Sequence, residues 1–374
     1  MSLTIAFARE CVEGERRVAL VPETAKKFAA LGASVQMEHN AAAQSHILDS
    51  DFPQVKIAED LQKTYAGAGL ILRVTPPTLD EIAAMPNGAV LTGMLKPYEG
   101  KEKLAALNAK KITAFAMELL PRITRAQSMD VLSSQSTCSG YQSAVIAAGM
   151  ASKFFPMLTT AAGTIRPARV LIIGAGVAGL QAIATCKRLG ALVDAYDVRA
   201  AAKEQVESLG AKFVDTGVSA EGSGGYAREL TDEEKAQQAE KLAKAFENVD
   251  VVITTAAVPG KPAPKIVFED MVKRMKFGSA IVDMAAETGG NCVLTQPGKE
   301  VVAHDVRIYG PLNLPSRMPT HASELFAKNL YHFWSPFIKE GELAIDWEDE
   351  VIQGALLCKD GEVKHAKVKS VLGV

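Results

Sequence analysis

Short apolar runs recur along the chain, each bounded by glycine, proline or charge and most followed by a longer charged, alanine-rich stretch. Apolar runs of this length suit strands buried on both faces of a parallel sheet. In the first third they fall at Leu3–Ala8, Ala33–Glu38, Leu70–Val74, Ala89–Met94 and Ile112–Met117. Pro22 suits the first turn of a helix ending near Leu31-Gly32, and a second helix is expected near Val55–Tyr65. Further on, strands are expected at Val170–Ile173, Ala191–Tyr196, Ala211–Asp215, Asp250–Ala257, Ser279–Ala285 and Val306–Gly310. Helices are expected over Leu180–Leu189 and Ala201–Leu209, and the capping box Thr231-Asp-Glu-Glu234 opens another that runs to about Phe246. Ala322–Phe337 reads as a helix returning to the first domain, and Leu343–Val363, with a turn at Asp360-Gly361, as a β-hairpin attached there.

Strands alternating with helices predict an α/β chain of two doubly wound, parallel-sheet (Rossmann-like) domains separated by a cleft. The expected boundaries are 1–135 plus 325–374 for the first domain and 136–324 for the second. Two stretches break the rhythm. Residues 121–136 are polar and dense in hydrogen-bonding side chains, just after a strand, where α/β sheets place ligand loops. A small-residue helix, Cys138–Phe155, is expected to carry the chain onward. Residues 217–226 hold four glycines and one aromatic, Tyr226, the composition of a mobile loop that is either a connector or a lid.

The second domain carries a fingerprint that the first lacks. Gly174, Gly176 and Gly179 follow the Val170–Ile173 run at G-x-G-x-x-G spacing just ahead of the expected helix, and with Val177 and Ala178 between them they form the stretch expected to bind the cofactor. In a dinucleotide fold the first glycine makes the tight turn and the second admits a pyrophosphate. The third lets the helix pack on the strand. The pyrophosphate rests on the helix N-terminus. Asp197 ends the next strand, about 20 residues on, where the acceptor for a ribose 2′-OH belongs. A carboxylate there repels a 2′-phosphate and favours NAD over NADP. Arg199 could accept such a phosphate but is read as a solvated charge at a strand end.

Composition narrows the class. A chain of 374 residues, 48% hydrophobic and 22% charged, has the make-up of a soluble two-domain protein. A net charge of −2 gives no reason to expect nucleic acid or an anionic membrane as direct partner. The N-terminus lacks the pattern of a signal peptide, and five scattered cysteines without C-x-x-C suit a reduced, cytoplasmic chain. No His/Cys/Asp/Glu cluster has metal spacing, so no metal is expected. Oxidation of an alcohol or amine by NAD needs a general acid/base, and none of the six histidines sits in a strand-end loop arguably facing the glycine turn, except His321. Hydride transfer between two nicotinamides releases no proton at the reacting carbon and needs only orientation and exclusion of water.

Over nearly its whole length the chain resembles the soluble alpha-1 (domain I, NAD-binding) subunits of proton-translocating nicotinamide nucleotide transhydrogenase. The resemblance is carried by Gly14-Glu-Arg-Arg-Val-Ala-Leu-Val-Pro22, by Ala116–Asp130 with its Arg-Ala-Gln-Ser-Met-Asp run, and by Gly174–Gly179. Tyr196-Asp-Val-Arg199, Gly224–Ala227, Thr254–Pro264 and Glu287–Cys292 extend it. It implies that Arg122, Asp130 and Ser133 hold the nicotinamide carboxamide and nearby ribose, and that Gln127 sits closest to the second nicotinamide and aligns the rings. It implies that Tyr226 closes on NAD, that Asp197, with Val198 and Arg199 beside it, takes the adenosine ribose, and that Ala256 and Ala257 flank the nucleotide. Without it, Arg122 and Asp130 are equally readable as an ion pair tying a loop. The implied cofactors are NAD(H) on this chain and NADP(H) on a partner. The implied assembly is a homodimer docked on a membrane alpha-2 subunit and a beta subunit.

Alanine dehydrogenase is a relative of that family. There a lysine after the third strand and a histidine after the fourth serve the substrate. The corresponding places here hold Val74 and Met94, while Arg17 matches the substrate-site arginine and Glu287 is an acidic position near a later strand. Three functions are therefore weighed: a transhydrogenase subunit, an amino-acid dehydrogenase, and a non-catalytic NAD-sensing module.

Overall fold

The computed structural model describes residues 2–222, 228, 230–258 and 260–373. By contacts the chain divides into two compact units, 1–135 with 316–374, and 136–315. The return thus falls at Ser316, ahead of the expected 325, because helix Pro319–Trp334 belongs entirely to the first unit. Its Phe326, Leu330, Phe333 and Trp334 are fully buried in that core, and Trp334 Nε1 donates to Thr92 Oγ1.

Among the described residues the first unit has an eight-stranded sheet. From one edge its strands are Glu362–Val363, Leu356–Lys359, Thr113–Ala116, Val90–Gly93, Leu70–Leu72, Thr4–Phe7, Ser34–Glu38 and Lys56–Ala58. All pair in parallel except the two C-terminal strands. Read from the opposite edge, the second unit follows the same plan with seven strands, Lys212–Phe213, Leu192–Tyr196, Arg169–Ile173, Val251–Thr254, Ala280–Asp283, Val306–Tyr309 and Glu300–Ala303. Its last strand is antiparallel. Each sheet begins in its middle, winds to one edge and crosses back to wind the other way, the doubly wound arrangement. Each therefore has one switch point, between Thr4–Phe7 and Leu70–Leu72 in the first unit and between Arg169–Ile173 and Val251–Thr254 in the second.

Burial follows from this layering. Val170 to Ile173 and Val251 to Ile253 have no exposed surface, because helices cover both faces of a parallel sheet. Helix Asp232–Phe246 starts at the expected capping box: Glu234 N donates to Thr231 Oγ1 and Thr231 N to Glu234 Oε2.

Three expected elements are corrected. Val55–Tyr65 is not one helix. Lys56–Ala58 pairs with Gln36–Glu38 as an edge strand, and a helix begins only at Leu61, where Asp60 accepts from Lys63 N. The hairpin spans only Leu356–Val363, since Asp349 caps a helix, Glu350–Ala355, inside the stretch read as strand. The connecting helix runs Val131–Met150, starting inside the polar segment rather than at Cys138.

Candidate nucleotide-binding site

The switch point of the second unit is shaped by missing side chains. Strand Arg169–Ile173 ends at Gly174, whose φ of +96° turns the chain sharply. Helix Val177–Arg188 starts at once, with Gly176 as its cap residue. A Cβ on Gly179 would stand 1.9 Å from the Gly174 carbonyl oxygen, so only glycine lets the helix lie this close to the strand. A Cβ on Gly140, in the connecting helix, would stand 2.1 Å from the Ala178 carbonyl oxygen, a second close packing that sequence reading missed. Gly176 differs: among the described residues, no atom beyond its immediate chain neighbours and its own helix's backbone lies within 4 Å of where its Cβ would be. Val177 beside it is exposed. The turn is tight where it meets protein and open where a ligand would approach.

Three polar side chains set the walls. Asp197, at the end of strand Leu192–Tyr196, is 8% exposed. Its Oδ2 accepts from Ala175 N at 2.7 Å and from Arg199 Nη2 at 2.7 Å. Its Oδ1 accepts from Arg199 N at 2.8 Å and Arg199 Nε at 2.9 Å. Burial pushes this carboxyl up, but Arg199 and the two backbone N–H groups more than reverse that and hold it below its ordinary value. Arg199 is therefore not the solvated charge expected. It lies in a two-pronged ion pair with Asp197, its side chain 25% exposed.

Across the switch point, Thr255 Oγ1 donates to the Gly174 carbonyl at 3.0 Å, tying the two strand ends together. Asn291, fully buried, accepts from Ala256 N at 3.0 Å and donates to the carbonyls of Ala256 and Pro264 at 2.7 and 2.9 Å. That staple fixes the loop holding Ala256 and the exposed Ala257. The sequence gives little sign of this role for Asn291, since an asparagine after Gly289-Gly290 reads as a turn residue. Val198 O accepts from Ala220 N at 3.0 Å, anchoring the start of the glycine-rich stretch beside Asp197. Tyr226 itself lies outside the described residues.

The polar segment belongs to the first unit. Thr124–Met129 forms a 3-10 helix on which Gln127 is exposed, as is Arg122 just before it. Asp130 precedes helix Val131–Met150, and its carboxylate accepts from Ser133 N at 3.0 Å and Ser133 Oγ at 2.6 Å. It caps the helix and satisfies an N–H with no partner within the helix. Asp130 and Ser133 are thus brought together. Asn329, from helix Pro319–Trp334, holds the segment by donating to Ser128 O and accepting from Ser134 Oγ.

Arg17 is committed to its own unit. Nε and Nη2 donate to the two oxygens of Glu15 at 2.8 and 2.7 Å, and Nη1 donates to Gln135 Oε1 at 2.8 Å. Burial pushes the Glu15 carboxyl up, but Arg17 and Ser316 bring it down to about 2. Val74 is fully buried, its N–H bonded to Glu10. Met94 packs against the first unit's core.

Two doubly wound sheets, one ending in a glycine turn with an acid on the neighbouring strand, define an α/β protein of the dinucleotide-binding class. The chain matches the family models described as alanine dehydrogenase/PNT, N-terminal domain, over residues 6–139 and C-terminal domain over 143–366. It is 46% identical over 376 residues to the first part of the NAD(P) transhydrogenase alpha subunit of Rhodospirillum rubrum, covering 97% of this chain and 98% of that one. NAD(P) transhydrogenase subunit alpha of Haemophilus influenzae is 42% identical over 96% of this chain and 71% of its own. The crystal structure of transhydrogenase from Sinorhizobium meliloti superposes with a TM-score of 0.88 at 42% identity, covering 96% of this chain and 99% of that one. An L-alanine dehydrogenase structure shares the fold, with a TM-score of 0.82 at 21% identity over 99% of both chains. The chain belongs to the alanine dehydrogenase/PNT family and, within it, to the NAD(P) transhydrogenase alpha subunits.

Proposed function

We propose that this chain binds NAD(H) at the glycine turn of its second unit and exchanges a hydride directly with NADP(H) held on a partner subunit. Membrane subunits couple that exchange to proton movement. The observation that carries the reading is the Gly174–Gly179 turn, closed against protein at Gly179 and open at Gly176, beside the buried acid Asp197. Family membership supports the partner, since the relatives at 42–46% identity are named as transhydrogenase alpha subunits. The nicotinamide end is assigned to Arg122, Asp130 and Ser133, with Gln127 aligning the two rings. Tyr226 is assigned to the nucleotide as well.

Amino-acid oxidation is disfavoured. Arg17, the counterpart of a substrate-binding arginine, already has its guanidinium engaged by Glu15 and Gln135. The working form is a homodimer. In support, Tyr141 and Val145 stand one turn apart on a helix and are 43% and 40% exposed, a face that a second copy would cover.

The purified chain should bind NADH with little turnover, and adding the NADP-binding domain of a transhydrogenase beta subunit should start hydride transfer. Gln127→Asn should slow transfer while leaving NADH binding intact. Binding without transfer under every combination of subunits would leave only a sensing role. Reduction of NAD by alanine without a partner would establish the dehydrogenase.

A further inference from the structure

Asp197 is expected to accept the 2′-OH of an adenosine ribose, yet its acceptor sites are already taken. A carboxylate has about four lone-pair sites, and here four N–H groups fill them. Two of those donors, Ala175 N and Arg199 N, are backbone and cannot leave without undoing the turn. The other two belong to the Arg199 side chain. A ribose hydroxyl can reach Asp197 only if the guanidinium yields its place.

The same pair bears on the cofactor that is refused. Arginine binds phosphate with the planar fork it uses on carboxylate. Arg199 is partly exposed at the end of strand Leu192–Tyr196, where the 2′-substituent of a dinucleotide lies. Its guanidinium is the group that would welcome a 2′-phosphate, and Asp197 occupies it.

We infer that the Asp197–Arg199 pair, and not the acid alone, sets nucleotide specificity: Asp197 denies Arg199 to a 2′-phosphate, while a 2′-OH displaces Arg199 from Asp197. This rests on the second unit being the NAD(H) site. Arg199 is then a specificity-determining residue whose side chain competes with the cofactor that binds.

The test measures NADH and NADPH dissociation constants of the full-length chain by nucleotide fluorescence, with circular dichroism confirming that each variant is folded. Asp197→Asn keeps an acceptor for Ala175 N but gives up the charge that holds Arg199. It should weaken NADH and strengthen NADPH, each roughly tenfold, the worth of one charge-assisted hydrogen bond. Adding Arg199→Ala to it should abolish the NADPH gain. Arg199→Ala alone retains Asp197 and its bond to the turn, so it keeps the test open if the acid variant does not fold. It should tighten NADH a few-fold, because a competitor for Asp197 has gone. NADPH binding equally weak in the single Asp197→Asn and double variants, or weaker NADH binding in Arg199→Ala, overturns the inference. If the wild-type chain binds neither nucleotide, the proposed function fails instead, so the two failures read differently.

Discussion

The two switch points share a topology and differ in what fills them. In the second unit three glycines, an ion pair and an asparagine staple leave an opening at Gly176. In the first unit the same position is plugged. Arg73, fully buried at the end of strand Leu70–Leu72, donates to Glu10 from Nη2 at 3.0 Å, and from Nη1 to Glu81 and to Tyr65 OH. Glu10 also accepts from Val74 N at 2.7 Å and from Thr75 Oγ1. Glu81 at once closes the capping box of helix Leu79–Ala84 through Thr78 N. Burial favours a neutral Arg73, but Glu10, Tyr65 and Glu81 hold it charged. A doubly wound sheet thus provides a place for a ligand but not a site. Whether the crevice is a site depends on whether side chains occupy it.

That contrast can be broken in order of expected effect. Arg73→Met leaves two carboxylates buried without their cation and should cost about 3–5 kcal/mol of stability in urea unfolding. A cost below about 1 kcal/mol would show that the plug does not hold the first unit together. Gly179→Ala drives a methyl into the Gly174 carbonyl and should cost about 3 kcal/mol and abolish NADH binding.

Acid should act on the first unit through Glu15. Its folded value of about 2 lies below the ordinary 4.5, so its contribution is complete above about pH 4.5 and is lost as pH falls towards 2. The shift corresponds to about 3 kcal/mol at most, so Glu15→Gln should flatten the fall in stability between pH 5 and 2, by roughly that energy. An unchanged acid limb would remove Glu15 from the account. Gly176→Ala is the mildest. It should move stability by less than about 1 kcal/mol, since its Cβ meets nothing among the described residues, yet weaken NADH roughly tenfold or more if a pyrophosphate packs there. Unaltered affinity would place the nucleotide elsewhere.

What the sequence by itself determined is local. The glycine spacing, the all-apolar strand beside it, the acid on the next strand and the Thr231–Glu234 capping box all act through neighbours in the chain, and each is found where its residues put it. The edges of both sheets were harder to read. Lys56–Ala58 and Glu300–Ala303 are largely exposed and carry no buried run to announce them. The helix Val131–Met150 was half hidden, because its serine-rich first turns have no apolar period. Asp130 and the Gly140 contact hold it instead.

Only the tertiary structure decided which polar groups meet. Arg73 reaches Glu10 and Glu81 across 63 and 8 positions, Asn291 reaches Ala256 across 35, and Asn329 reaches Ser128 across 201. Arg199 pairs with an acid two residues away, yet even that depends on the strand end burying Asp197 until its charge needs a partner. Periodicity records which face of an element avoids water. A buried charge finds its partner through the fold, and no spacing along the chain encodes that distance.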